Sequence, residues 1–77
     1  MKRIEIGAHI VRDPEVCHGQ LTFKGTRILV ESVLGYLAHG RDVDWALNEW
    51  PRLSREAVQE ALQLAADALI ERHCRAA

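Results

Sequence analysis

Two hydrophobic rhythms divide the chain. From His9 to Val30 the apolar residues come in short pieces separated by turn-forming residues. His9-Ile10-Val11-Arg12 reads as a short strand. Asp13-Pro14 ends it, because proline has no N–H and disfavours helix before it. Gly19 and Gly25 bracket Gln20-Leu21-Thr22-Phe23-Lys24, where polar and apolar positions alternate, and this period of two reads as a second strand. Together they predict a small hairpin over 9–29, marginal alone and needing an apolar surface to lie on. Residues 1–8 read as an N-terminal arm or strand.

From Val30 onward the period is helical. Val30, Val33, Leu34 and Leu37 share one face of a first helix, and Gly40 is placed to end it as the C′ residue. Asp42 is placed to cap a second helix whose stripe is Val43, Ala46, Leu47 and Trp50, and Pro51 stops it. Ser54 can cap a third, longer helix over Arg55–His73, without the usual acidic partner of a capping box because Ala57 holds that place. Its face is wide and rich in alanine: Val58, Leu62, Ala65 and Leu69 beside Ala57, Ala61, Leu64 and Ala68. Either this face covers the two shorter helices and the hairpin, or part of it meets a second copy or a partner at Leu64 and Ala68. The expected fold is mainly α, a short N-terminal β-hairpin followed by three helices over 30–73. Helices two and three flank Trp50-Pro51-Arg52-Leu53 in a helix-turn-helix-like arrangement.

Composition bounds the function. Seventy-seven residues permit one domain, 1–77, and at 48% hydrophobic it can form a core. Its longest apolar run, Ile28-Leu29-Val30, is too short to cross a bilayer, and the N-terminus carries no signal pattern. With only Cys17 and Cys74, far apart, the expectation is a reduced cytoplasmic protein. Net charge is −1 but uneven. Residues 1–41 carry +2 and residues 42–77 carry −3, so an anion-binding surface belongs to the first half.

The remaining chemistry is sparse. Cys17-His18 and His73-Cys74 are adjacent pairs, which suit one tetrahedral zinc poorly, and no metal is expected. Asp42, Asp44 and Glu49 read as a cap and helix charges rather than a nuclease site. With no nucleophile triad and no nucleotide loop, neither an enzyme nor a cofactor is expected. Arg52, Arg55 and Gln59 lie where a helix-turn-helix faces bases, with Lys24, Arg27 and Arg41 available to phosphates. Against that stand Glu56, Glu60, Asp67 and Glu71 on the third helix. In Gly25-Thr26-Arg27, threonine can satisfy free helix N–H groups. Arg27 either binds an anion or pairs with Asp13 or another local acid. Trp50 reads as core. Trp45, off the stripe, is either half-buried against the hairpin or a partner anchor.

Asp13-Pro14, Gly19, Gly25-Thr26-Arg27-Ile28, Tyr36-Leu37-Ala38-His39-Gly40 and Trp50-Pro51-Arg52-Leu53-Ser54 together resemble the domain of unknown function 433 family, over about residues 9–70. Leu29 stands where many members have proline, which bears on the local turn. The resemblance implies a helix-turn-helix-like fold. It also implies a role as the antitoxin of a type II toxin–antitoxin module, as a dimer repressing its own operon and neutralising a co-encoded PIN-type nuclease toxin. Little chain follows the third helix, so a folded surface or the first eight residues would contact the toxin. The competing expectation is a protein-binding module that does not bind DNA.

Overall fold

The computed structural model describes residues 2–73. Three strands come first: β1 (Ile4–Glu5), β2 (Ile10–Arg12) and β3 (Leu21–Phe23). Three helices follow: α1 (Val30–Ala38), α2 (Val43–Glu49) and α3 (Arg55–His73). The sheet is antiparallel in the order β1-β2-β3. Ile10 faces Phe23, Val11 faces Thr22, and Ile4 faces Arg12. The expected hairpin is therefore the core of a three-stranded sheet, and the architecture is mixed rather than mainly α. The signal for β1 lies in Arg3-Ile4-Glu5-Ile6, whose polar and apolar residues alternate as in a half-buried strand.

Residues 13–20 join β2 to β3 as a tight excursion. Asp13 Oδ1 accepts from Glu15 N at 2.9 Å, an Asx turn that proline favours. Cys17 and His18 then take positive φ of 50° and 58°, turning the chain back on itself. Conformations of this kind cost non-glycine residues about 1 kcal/mol or more each. Arg12 Nε donates to Gly19 O at 3.1 Å and closes the loop.

Helix ends follow local chemistry. Asp42 Oδ1 accepts from Trp45 N at 2.7 Å and caps α2. Ser54 Oγ accepts from Ala57 N at 3.1 Å at the start of α3. Gly40, at φ 101°, turns the chain after α1. The core joins sheet and helices: Ile10 and Phe23 from the sheet, Val30 and Val33 from α1, Ala46 from α2, and Leu53, Ala57, Val58 and Ala61 from the last turn and α3.

Two expectations about burial change. Trp50 is half-buried and packs against the edge of the core rather than lying within it. It is the C-cap residue of α2, at φ −122° and ψ 81°, its N–H still donating to Ala46 O, and like Val43 and Leu47 of the same stripe it is only half covered. On α3 only Ala57, Val58 and Ala61 are buried. Leu62, Ala65, Ala68 and Leu69 are exposed, because the helix runs on past the body it covers.

Candidate nucleic-acid interface

The turn after β3 is built by its own backbone. Phe23 N donates to Ile28 O at 3.1 Å, Thr26 N to Phe23 O at 3.0 Å, and Thr22 pairs with Leu29 across the bend. Thr26 completes it: its hydroxyl donates to Phe23 O at 2.8 Å and accepts from Ile28 N at 2.9 Å. Thr26 therefore braces this turn and does not cap α1, whose N-cap is Leu29. Gly25 takes a φ of 79° that a side chain would disfavour. Its carbonyl accepts from Arg52 Nη2 at 3.1 Å, which bolts the α2–α3 connection onto the Gly-Thr-Arg turn.

This bolt gathers charge that the sequence scatters. Arg3, Lys24, Arg27 and Arg52 line one concavity on the face of the sheet opposite the core. Val11 and Thr22 lie in its floor, and Asp13 sits on the rim. The Thr22 hydroxyl is buried and has no hydrogen-bond partner among the described residues. Glu5 lies at the edge, with its carboxylate 3.2 Å from Lys24 Nζ and 3.6 Å from Arg3 Nη2. Arg27 is exposed and lies within ion-pair distance of no acid among the described residues, so the anticipated pairing with Asp13 is not made. Its carbonyl instead receives a contact from Cys17 Sγ at 3.5 Å.

The six residues expected at DNA do not form one surface. Lys24, Arg27 and Arg52 converge here. Arg55 is paired with Asp44. Arg41 stacks over the Trp45 ring, 4.9 Å from its centroid. Gln59 is exposed on α3 between Glu56 and Glu60. Arg3 joins the site although the sequence reading passed over it. Its signal was the alternation that makes β1.

Glu60 is bound inward instead. Its carboxylate accepts from Ala8 N at 3.0 Å and His9 N at 2.8 Å, and His9 Nδ1 stands 3.5 Å away. Chiefly the His9 N–H, opposed by partial desolvation and helped by Ala8 N–H and the His9 ring, lowers its pKa below the ordinary value.

The residues expected at a partner also separate. Trp45 is half-buried against the core cluster and packs on Tyr36 of α1. Its ring lies 5.0 Å from Tyr36 and 5.8 Å from Trp50, and Tyr36 lies 5.8 Å from Trp50. Leu64 and Ala68 line an apolar trough elsewhere. Among the described residues no group of three His, Cys, Asp or Glu could hold a metal, and no helix is long and apolar enough to cross a membrane. Cys74, half of one Cys-His pair, lies outside the described residues.

Residues 10–65 match the model of a family described as "Protein of unknown function (DUF433)". No curated protein and no solved structure matches. The match takes in β2, β3, both short helices and the buried half of α3.

Proposed function

The chain belongs to the DUF433 family, and we propose that it is an antitoxin-like protein that holds the phosphate backbone of DNA in the Arg3–Lys24–Arg27–Arg52 concavity. The observation that carries this reading is that three separate segments deliver four bases to one hollow, with Arg27 in ion-pair distance of no acid among the described residues. A planar guanidinium on a rigid turn suits bidentate contact with a phosphate oxygen pair. Lys24 supplies a point charge beside it, shared at the edge of the hollow with Glu5. Arg52 donates one N–H to Gly25 O and keeps further donors for a ligand. Contacts of this kind position a protein on a duplex without reading its sequence.

This reading moves the contact away from α3. Arg55 is already paired with Asp44, and exposed Glu56 stands one turn from Gln59, so the exposed start of α3 is a poor approach to phosphates. The α2–α3 connection serves here to set Arg52 against Gly25. The Tyr36–Trp45–Trp50 cluster, with Arg41 stacked on it, is rich in the residue types that anchor protein interfaces. It is the surface we assign to the co-encoded toxin, a nuclease of the PIN type.

Binding to duplex DNA from upstream of its own gene, measured by anisotropy over a salt series, tests the proposal. Replacing both Lys24 and Arg27 by alanine should weaken binding and reduce the salt slope by about 2. Arg55→Ala should leave both unchanged. No binding at low salt, or an equal loss from Arg55→Ala, rejects the DNA reading. The aromatic cluster favours a second reading, a protein-binding module alone. Capture of the neighbouring gene product that is lost in Trp45→Ala, without any DNA binding, would establish it.

A further inference from the structure

The basic hollow meets an acid carried by its own edge strand. Glu5 of β1 pairs with Val11 of β2, and Val11 pairs with Thr22 of β3. Residues paired across a sheet share a face, so Glu5 stands in one row with the two residues that floor the hollow. Lys24 lies two places beyond Thr22 and lines the same hollow. The Glu5 side chain therefore reaches over the central strand, bringing its Oε2 to 3.2 Å from Lys24 Nζ. The same oxygen lies 3.6 Å from Arg3 Nη2, two residues back on β1. One carboxylate oxygen thus engages two of the four bases.

The fold does not depend on this contact. The side chains of Glu5, Arg3 and Lys24 are 57%, 48% and 35% exposed, and ion pairs open to water contribute little to stability. The backbone pairing with β2 holds β1 in place, and the Glu60 clasp on Ala8 and His9 fastens the turn that follows it. What the contact does change is which bases a ligand meets. Carboxylate and phosphate oxygens are the same kind of acceptor for an ammonium or a guanidinium. Glu5 holds Lys24 and Arg3. Arg27 lies within ion-pair distance of no acid among the described residues, and Arg52 keeps donors beyond the one given to Gly25 O.

We infer that Glu5 is a tethered competitor for the phosphate held in the hollow. Its carboxylate fills the Lys24–Arg3 side in the free protein, and a DNA phosphate gains those two bases only by displacing it. The inference rests on the DNA reading of the hollow and adds to it the residue that restrains affinity. Because the pair is exposed, displacing it costs only a small factor, about two- to fivefold in affinity at low salt. Salt screens the internal pair, so this restraint shrinks as ionic strength rises.

Anisotropy with the same upstream duplex tests it at low and high salt, and thermal melts check that each variant is folded. Glu5→Gln keeps the side-chain length and removes the charge, and should bind about two- to fivefold more tightly at low salt, with a smaller gain at high salt. Glu5→Asp keeps the charge and withdraws the carboxylate by one methylene, out of reach across β2, and should bind like Glu5→Gln. Glu31→Gln, at the exposed start of α1 and outside the hollow, makes the same change in net charge and should bind like wild type. A wild type that binds DNA as tightly as Glu5→Gln overturns the inference and leaves the DNA reading standing. So does wild-type affinity in Glu5→Asp, or an equal gain in Glu31→Gln, since either makes the effect one of charge alone. If neither wild type nor Glu5→Gln binds at low salt, the DNA reading falls and this inference falls with it.

Discussion

The two halves of α3 have nearly the same sequence character and opposite fates. Both are built on alanine with a branched aliphatic residue at helical spacing. The first half puts Ala57, Val58 and Ala61 into the core, where Val58 is 0% exposed. The second half leaves Ala65, Ala68 and Leu69 in solvent. Alanine-rich amphipathic pattern therefore specifies a helix with an apolar side, and what that side touches depends on how far the rest of the chain extends.

The sharpest way to break the comparison is to place a charge in the buried half. Val58→Asp buries an unpaired carboxylate among Phe23, Val33 and Ala46 and should cost more than about 4 kcal/mol, enough to unfold a domain of this size in denaturant titration. If it leaves the protein folded, the core assignment is wrong. Next in size is the cap that starts the buried half. Ser54→Ala removes the acceptor for Ala57 N and should cost about 1 kcal/mol. A midpoint equal to wild type would show that water replaces the hydroxyl without loss.

Glu60 stands at the junction between the halves, and pH interrogates it. Its folded pKa is depressed, so the clasp on Ala8 and His9 contributes stability above the unfolded pKa, about 4.3. That contribution should fade as pH falls through the lower folded value. In Glu60→Gln this part of the acid slope should vanish from thermal melts recorded between neutral pH and the acid limit, and an unchanged slope would remove Glu60 from the account. Smallest of all, Leu69→Gln should shift monomer stability by no more than about 0.5 kcal/mol, since Leu69 is 61% exposed. A larger loss under conditions where the chain is single would mean the outer half packs on its own body.

What was legible divides along the same line. The capping roles of Asp42 and Ser54 could be read because a cap depends on a side chain and an N–H two or three residues away. The α3 span could be read because helical period is local. Trp50 keeps the helical bond of its N–H to Ala46 O but lies at the edge of the core, a depth that no local period fixes. The basic hollow was half legible. Lys24 and Arg27 share one turn, but Arg52 reaches that turn across 27 positions, and Arg3 arrives only through the β1–β2 pairing. Glu60 looked like surface charge and is instead a clasp on a backbone 52 and 51 positions away.

The sequence by itself determined the order of strands and helices, the residues that cap them and the uneven distribution of charge. These are properties of neighbours along the chain. Tertiary structure alone decided that Arg3, Lys24, Arg27 and Arg52 share a hollow, that Arg55 is spent on Asp44, and that α3 outruns its own core. Each of these depends on which distant segments meet, and that is set by the packing of the whole chain and by no local pattern.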